Sequence, residues 1–304
     1  MTLQCGSRLG RYEVDSLIAS GGMGDVYRAH DTRLNRKVAL KVLATSVLAD
    51  PERLTRFTQE ARTTALINHP NIVAVYDVGS DEGHPFVVSE LLRGETLRAR
   101  MKGALPVRVA VSHTLEIAHG LIAAHHLGVI HRDLKPENVF VTDDGRLKIL
   151  DFGLAKCRNE SLGLPDDSSK STQPGTIMGT VGYMAPEQVR GSAVDERADI
   201  FSLGVMLYEM VAGVAPFERE TPIETLYAIL KEEPPPLARQ LELTDDLEHV
   251  IRHCLEKSPT ARFQSARDLA FVLEFTLRSQ QPAPPPSSSS AAHRRILDAI
   301  LSLF

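Results

Sequence analysis

One stretch decides the fold of this chain: His131-Arg132-Asp133-Leu134-Lys135-Pro136-Glu137-Asn138, followed by Asp151-Phe152-Gly153. It brings the carboxylates of Asp133 and Asp151, an ammonium group and a carboxamide into one short segment. This set suits Mg²⁺-dependent phosphoryl transfer, because that reaction depends mostly on positioning and charge neutralisation. Asp133 can orient an attacking hydroxyl group and accept its proton. Asn138 and Asp151 offer the hard oxygen ligands that Mg²⁺ prefers, so the segment predicts a phosphotransferase site.

The order of these residues, H-R-D-L-x-x-x-N and then D-F-G, is the signature of protein kinases. On these motifs the chain resembles the serine/threonine protein kinases, and more narrowly the eukaryotic-like kinases of bacteria. The resemblance covers about residues 10–278. It implies an α+β, bilobal protein-kinase-like fold, in which a small five-stranded β lobe carries one long helix and the larger lobe is mainly helical.

Composition agrees with a two-lobed enzyme. The 304 residues exceed one average domain, and an apolar share of 43% can fill a large core. A net charge of −5 argues against a general nucleic-acid binder, which would carry a basic stripe. The cysteines, Cys5, Cys157 and Cys254, lack metal-like spacing, which favours reduced thiols. No signal-like or bilayer-spanning apolar stretch is visible, so we expect a cytoplasmic catalytic domain.

Apolar periodicity predicts strands first and helices afterwards. β-forming residues bounded by turns predict five strands, at residues 12–20, 26–31, 37–43, 72–78 and 85–91. Residues 51–68 have helical periodicity and are closed by Pro70. Later helices are predicted at 110–127, 198–211, 223–232, 245–256 and 265–277, with short strands at 139–142 and 147–150. This order indicates α+β segregation.

The domain boundaries follow from these elements and from a change in composition. We expect a kinase domain at residues 1–279, with the small lobe at about 10–92 and the large lobe at about 93–279. Residues 280–292 are rich in Pro and Ser and predict an extended linker. Residues 293–304 predict a short amphipathic tail with a basic start. Such a tail can touch a membrane surface or a partner, or it can be a frayed end or a piece of a longer parent chain.

The nucleotide is expected to bind around a glycine-rich turn between the first two strands. Glycines let backbone N–H groups approach phosphate oxygens without a Cβ in the way. One such turn is weak evidence, but here it precedes Val38-Ala39-Leu40-Lys41, which matches the family's V-A-I-K element. Ala19 replaces the first glycine of the family, which predicts slightly weaker nucleotide binding. The predicted contacts in this part of the site are Ala19, Ser20, Gly21, Gly22, Met23, Gly24, Val26, Ala39 and Lys41.

Two lysines are expected to hold the phosphates. An isolated lysine on an apolar strand would usually extend its ammonium group to the solvent. By resemblance, Lys41 should instead bridge the α- and β-phosphates and pair with Glu60, which lies mid-way along the predicted helix. Lys135 should neutralise charge on the transferring γ-phosphoryl group. With Asp133, these residues make up the predicted catalytic set.

Residues 86–92 are expected to be the hinge that holds the adenine. By resemblance, Ser89 is the gatekeeper, and its side chain is small. Backbone groups of Glu90 and Leu92 should hold the adenine edge. The small gatekeeper predicts sensitivity to bulky adenine analogues.

The resemblance also assigns structural and regulatory roles near the catalytic residue. His131 should pack behind the catalytic loop rather than act as the base. Arg132 matches the family's arginine that receives a phosphate from the activation loop. The primary phosphosite is expected at Thr176, with Thr172 and Ser171 as secondary candidates.

Four positions are expected to be scaffold residues by resemblance. Thr180 matches the threonine that bonds the catalytic Asp and Lys in serine/threonine kinases. Glu187 belongs to the A-P-E element and should form a buried ion pair with Arg262. Asp199 is a lone acid in an apolar segment and should bond the backbone of the catalytic loop.

Together these residues predict an active kinase that uses ATP and Mg²⁺, with Mn²⁺ as an alternative metal. The sequence Leu134-Lys135-Pro136-Glu137 resembles the serine/threonine branch, so the expected partners are proteins with Ser or Thr acceptors. Activation by autophosphorylation of the loop is expected, with a homodimer as a route to transfer in trans.

Two alternatives stay open. One is a pseudokinase scaffold that binds nucleotide without catalysis, which only Ala19 favours. The other is a small-molecule phosphotransferase with the same fold. The element at 179–187 and the segment that holds Asp199 argue against it, because in the family they build a peptide-binding shelf.

Overall fold

The computed structural model describes residues 3–21, 24–43, 59, 61–81, 83–152, 181–237 and 245–279. The strands are β1 (Arg8–Leu9), β2 (Tyr12–Gly21), β3 (Gly24–Asp31), β4 (Arg36–Leu43), β5 (Val75–Asp81), β6 (His84–Glu90), β7 (Gly94–Thr96), β8 (Val139–Thr142) and β9 (Leu147–Ile149). The helices are α1 (Leu97–Arg100), α2 (Val107–His126), α3 (Pro186–Val189), α4 (Arg197–Ala212), α5 (Pro222–Lys231), α6 (Asp245–Cys254) and α7 (Ala266–Ser279). A sheet-rich part thus precedes a helical part, as an α+β, bilobal fold requires.

An antiparallel sheet in the order β1-β2-β3-β4-β6-β5 forms the small lobe. Along β4, Val38, Leu40 and Val42 are buried at every second position, as the period of a strand requires. These side chains belong to one core cluster, in which the rings of Tyr12 and Phe86 meet edge to face at 5.8 Å between centroids. The core therefore lies on one face of the sheet.

The sheet has six strands instead of the predicted five. The additional strand is β1, which pairs Arg8 with Glu13 and Leu9 with Tyr12. Two residues are too few to show an alternating pattern, so the sequence alone does not reveal this strand.

The segment before β5 connects the two lobes. The predicted strand at 72–78 begins only at Val75. Before it, the Val73 N–H donates to Ile149 O at 3.0 Å, and the Ile149 N–H donates to Asn71 O at 2.8 Å. Ile72 lies in the core of the large lobe, so its apolar character reflects that core and not a longer strand.

The helical lobe is built around α4. Every residue from Ala198 to Val211 is buried, in agreement with the apolar sequence of this segment. Burying a side chain such as Phe201 contributes about 1.5–3 kcal/mol, so this helix is a major source of stability. The helix ends at Gly213, which has a φ of 78° and donates its N–H to Glu209 O at 2.7 Å.

The five later helices are confirmed, with ends shifted by at most three residues. Of the helix predicted at 51–68, residues 59 and 61–64 are helical, residues 65–68 are not, and 51–58 and 60 lie outside the described residues. The linker 280–292, the tail 293–304 and Cys157 also lie outside them. No helix among the described residues combines the length and apolar character needed to cross a bilayer.

Candidate active site

Asp133 lies in the loop between α2 and β8, at the centre of the candidate site. Its Oδ2 is 2.8 Å from Lys135 Nζ and accepts a hydrogen bond from Asn138 Nδ2 at 3.1 Å. The Asn138 amide also donates to Asp133 O at 2.7 Å. The carboxylate is 22% exposed, so it is fixed by two donors and still open to a substrate hydroxyl.

Asp199, near the start of α4, fixes the backbone of this loop by hydrogen bonds. Its two oxygens accept hydrogen bonds from the N–H groups of His131 and Arg132, both at 2.8 Å. Arg132 has a φ of 65°, a left-handed conformation that a non-glycine residue adopts only when its surroundings impose it. The Asp199 carboxylate is therefore what stabilises the strained turn before Asp133.

The pKa of Asp199 lies below its ordinary value despite complete burial. Burial raises the pKa, but the hydrogen bond from His125 Nε2 at 2.8 Å, the nearby His131 and the His131 N–H together lower it by more. Asp199 is thus an anion held by several donors, as the sequence prediction for a lone acid in an apolar helix requires.

His131 is fully buried and packs where the prediction puts it, behind the loop. Its ring meets the ring of Phe152 edge to face at 4.8 Å, and Nε2 lies 2.9 Å from Leu150 O. These contacts leave the ring facing the core, so the geometry supports a packing role.

Lys41 on β4 reaches the Asp151 carboxylate, with 2.8 Å between Nζ and Oδ2. Asp151 has a φ of 53° and follows Leu150, whose N–H donates to Asn138 O at 2.8 Å. Asn138 and Asp151 are therefore brought together by the backbone. The expected partner Glu60 lies outside the described residues, so the Lys41–Glu60 pair stays a prediction.

The donor set fits a divalent metal that prefers oxygen. Asn138 gives its amide nitrogen to Asp133, so among the described residues its amide oxygen is available as a ligand. Asp151 is 41% exposed. Among the described residues it is paired through Oδ2, with Lys41 Nζ. In the described ranges, no group of three or more His, Cys, Asp or Glu side chains could hold a metal. Two oxygen ligands completed by phosphates and water are typical of Mg²⁺ sites.

The glycine-rich hairpin depends on Gly24. This residue has a φ of 137°, and a Cβ there would lie 1.9 Å from Val42 O. Ala19 is exposed and pairs with Val26 across the hairpin, and its φ is not in the positive range. Ser20 Oγ donates to Asp25 Oδ1 at 2.6 Å, which links the two strands near the tip. Gly22 and Met23, at that tip, lie outside the described residues.

Ser89 lines a cavity of about 50 Å³ behind the expected adenine position. The other walls include Lys41, Val87 and Phe152. The cavity is lined mostly by apolar side chains, and the role of Ser89 as gatekeeper stays a prediction. Ala39, on the neighbouring strand, and Leu92 are half-buried.

The hinge residue Glu90 is fixed by contacts that the sequence does not reveal. Its N–H donates to Ala74 O at 2.9 Å, and its carboxylate accepts from the Ala74 N–H at 2.8 Å. Lys148 Nζ lies 2.7 Å from Glu90 Oε1. The Glu90 carbonyl accepts a long hydrogen bond from the Ser89 hydroxyl, at 3.5 Å, and its contact with an adenine stays a prediction.

The ion pair between Glu187 and Arg262 is present and almost fully buried, with two N–O distances of 2.7 Å. Gln188, the next residue, donates its amide to Arg132 O at 2.7 Å. The A-P-E element is thereby tied to the catalytic loop. Arg132 Nε is buried and has no hydrogen-bond partner within the described part of the chain. The predicted loop residues Ser171, Thr172, Thr176 and Thr180 lie outside that part.

Three positioning residues were missed by the sequence predictions: His125, Gln188 and Lys148. The residues they bond lie 74, 56 and 58 positions away in the chain. Only the position of His125 on the last turn of the predicted helix before the catalytic loop gave a signal that could have found it.

Comparisons with known proteins identify the family of the chain. Residues 12–270 match the protein kinase domain family. The chain is 37% identical over 294 residues to the serine/threonine-protein kinase PknB of Mycobacterium leprae, covering 94% of this chain and 46% of the relative. It is 38% identical over 280 residues to a probable serine/threonine-protein kinase of Streptomyces coelicolor, covering 89% of this chain and 40% of that protein. The chain thus spans less than half the length of these curated relatives.

Solved structures show the same relationship at the level of the fold. The crystal structure of the Mycobacterium tuberculosis PknI kinase domain matches with a TM-score of 0.72 and 29% identity, covering 90% of this chain and 98% of that domain. The match to the family model alone extends over most of the chain. The chain therefore belongs to the protein kinase family, and within it to the bacterial, eukaryotic-like serine/threonine kinases.

Proposed function

We propose that this chain is a protein kinase that transfers the γ-phosphoryl group of ATP to Ser and Thr hydroxyls of proteins. The observation that carries the proposal is the Asp133 carboxylate, which is held at 2.8 Å from Lys135 Nζ and 3.1 Å from Asn138 Nδ2. Transfer of a phosphoryl group needs a group that accepts the proton of the hydroxyl and a positive charge near the phosphate. Asp133 and Lys135 supply these two groups side by side.

Each residue of the site has a defined task in this proposal. Asp133 orients the substrate hydroxyl and accepts its proton as the oxygen attacks. Lys135 lies beside the position of the transferring group and offsets its negative charge. Lys41 moves from Asp151 to the α- and β-phosphates when nucleotide binds, and Glu60 receives it there.

Mg²⁺, or Mn²⁺ in its place, would be held by Asn138 and Asp151 and would neutralise phosphate charge. The support for this assignment is the oxygen-rich donor pair described above. Asn138 has a second task, because its amide nitrogen holds the Asp133 carboxylate in place.

Activation is proposed to follow from phosphorylation of the loop that contains Thr176, with Thr172 and Ser171 as further sites. The support is Arg132, whose buried Nε lacks a partner among the described residues. A phosphate on the loop would supply that partner and would stabilise the strained turn before Asp133. Transfer between two copies of the chain, in a homodimer, is the proposed route.

The cytoplasmic location and the contact of the tail 293–304 with a membrane surface stay predictions from the sequence. The described residues contain neither the linker nor the tail.

Intact-mass measurement after incubation with Mg-ATP tests the proposal. The wild-type chain should gain one or more phosphate groups, whereas Asp133→Asn and Lys41→Met should gain none at the same time point. Peptide mapping should then place phosphate at Thr176. Equal incorporation by all three proteins would refute the proposed catalytic role. A wild-type chain that binds nucleotide but never gains phosphate would instead favour the scaffold alternative.

A further inference from the structure

Arg98, the second residue of α1, reaches across to three groups from distant parts of the chain. Its Nε is 2.8 Å from Glu137 Oε1, and its Nη1 is 2.6 Å from Glu209 Oε1. Its Nη2 donates to the Tyr183 hydroxyl, which in turn donates to Glu209 Oε2. The guanidinium group is thus enclosed by acceptors on three sides.

The electrostatics favour this arrangement. Burial alone would lower the pKa of Arg98, but the bonds to Glu209 and Glu137 outweigh burial and hold the pKa above its ordinary value. Burial and the neighbouring Glu209 raise the pKa of Tyr183, which keeps its hydroxyl protonated as a donor. The Glu209 side chain is 9% exposed and that of Arg98 is 36% exposed. The charged groups therefore meet at the wall of an open cavity rather than in the deep core.

That cavity has a volume of about 200 Å³ and lies next to the proposed site of transfer. Glu137 on its wall directly precedes Asn138, whose amide holds the Asp133 carboxylate. Consecutive Cα atoms are about 3.8 Å apart, so the wall begins one residue from the catalytic turn. A peptide in extended form advances about 3.3 Å per residue, so side chains a few positions from the acceptor can reach the cavity.

Among the described residues that line this cavity, Arg98 is the one cation, and it pairs with two of the carboxylates there. The lining carries three carboxylates, on Glu137, Glu209 and Glu218. The planar donor fork of an arginine matches carboxylates in a way that few other side chains can. An arginine side chain of a substrate would seek the same two acceptors.

We propose that Arg98 is a specificity-determining residue, because its guanidinium group occupies the position that a basic side chain of a peptide substrate would otherwise take. With Arg98 in place, Glu137 and Glu209 are not open to a basic residue near the acceptor hydroxyl. The substrates of the enzyme are peptides that do not depend on such a residue. Removal of Arg98 uncovers Glu137 and Glu209 and creates a preference for arginine. This inference rests on the proposed kinase function.

The test is a positional scan of a Thr-containing peptide, with a single Arg or a single Ala placed at each position around the acceptor. The measured quantity is the ratio of kcat/KM for the Arg and Ala peptides, taken within each variant. Because both peptides are assayed with the same enzyme preparation, the concentration of folded enzyme cancels in this ratio. The wild type should give a ratio within about threefold of one at every position.

Arg98→Ala should raise the ratio at least about tenfold at one or two positions, equivalent to about 1.4 kcal/mol. Arg98→Lys keeps a cation between the two carboxylates and should behave like the wild type. Adding Glu137→Gln to Arg98→Ala should remove the new preference, because it neutralises one acceptor. A purely structural role of Arg98 would lower all rates together and leave the ratio unchanged.

Two results would overturn the proposal. One is an Arg98→Ala enzyme that is active and shows the wild-type ratio at every position. The other is a wild-type enzyme that already prefers arginine and loses that preference in Glu137→Gln, a result that requires no Arg98 variant to fold. If no protein transfers phosphate, the proposed function fails. Fluorescence anisotropy then still measures the affinity of the protein for labelled Arg and Ala peptides. If Arg98→Ala bound the two peptides with equal affinity, the inference would be rejected.

Discussion

Gly24 illustrates how one residue controls the phosphate-binding hairpin. Its φ is positive, and a Cβ at this position would lie only 1.9 Å from Val42 O, which leaves no room for a side chain. We expect Gly24→Ala to distort the hairpin, raise KM for ATP about tenfold or more and lower stability by about 1–2 kcal/mol. ATP titrations and thermal melting measure the two effects.

The matched control is Ala19→Gly in the same hairpin. Ala19 is exposed and has no positive φ, so this change should leave stability nearly unaltered and change KM for ATP by less than about threefold. A tolerated Gly24→Ala combined with a damaging Ala19→Gly would contradict the role assigned to Gly24.

We expect Ser89 to determine access to the cavity that it lines. Because that cavity is lined by the small Ser89 side chain, the wild type should accept an ATP analogue with a benzyl group on N6. Ser89→Met should raise KM for this analogue at least about tenfold and leave KM for ATP within about threefold. Ser80→Met, at an exposed position on β5, is the control and should affect neither nucleotide. Equal use of the analogue by Ser89→Met would show that Ser89 is not the gatekeeper.

At the residue scale, the residues themselves predicted local contacts, whereas remote contacts were predicted only where the family resemblance supplied them, as for Glu187 with Arg262. Asp133, Lys135 and Asn138 share one turn of the chain, so their chemistry and order imply their contacts. The bond from His125 to Asp199 spans 74 positions, and a single sequence carries no signal for such a distance. The placement of Arg98 between two glutamates was missed for the same reason.

The helix α4 connects the core of the large lobe with the catalytic loop, and Asp199 is the point of connection. Its pKa is depressed in the folded state, so the stability it contributes is present above its unfolded pKa of about 3.9 and is lost as pH falls below that value. At pH 7, Asp199→Asn should lower the free energy of unfolding by about 2–3 kcal/mol. Near pH 3, the difference from the wild type should shrink.

Urea unfolding at the two pH values measures this effect. Asp246→Asn, at an exposed position on α6, is the control and should change stability by less than about 0.5 kcal/mol at either pH. A deficit of Asp199→Asn that stays constant from pH 7 to pH 3 would rule out the buried anion as its cause.

The elements were predictable where they are long and strongly periodic. The apolar run that forms α4 and the alternation along β4 were both recognisable, because tertiary packing and local pattern agree there. The two-residue β1 and the three-residue β7 were not, since such short strands exist only through their partners. Ile72 was predicted as strand because it is apolar, but its side chain lies in the core of the large lobe and its backbone forms an isolated bridge to Ile149 of β9.

Across the whole molecule, the buried pair of Glu187 and Arg262 joins segments 75 positions apart. Arg262 also donates to the backbone oxygens of Glu256 and Arg197, at 2.8 and 2.9 Å. Arg262→Ala leaves a buried carboxylate without its partner, so it should lower the free energy of unfolding by about 3–5 kcal/mol. Urea unfolding of the wild type and Arg262→Ala at pH 7 measures this difference in the free energy of unfolding.

The control for this prediction is Arg252→Ala. Arg252 pairs with Glu248 one turn away on the surface of α6, and such pairs contribute about 0.3–0.5 kcal/mol. If the two alanine variants lost similar stability, the buried pair would not be the long-range connection that we assign to it.

The role of Asp133 as the residue that receives the substrate proton is tested most directly by separating transfer from nucleotide binding. The measurement is kcat for a Thr peptide together with Kd for Mg-ATP, in the wild type, Asp133→Asn and the exposed control Asp143→Asn. We predict that Asp133→Asn loses about 10²–10⁴-fold in kcat while Kd changes by less than about threefold, and that Asp143→Asn matches the wild type. A kcat for Asp133→Asn within a few-fold of the wild type would contradict this role.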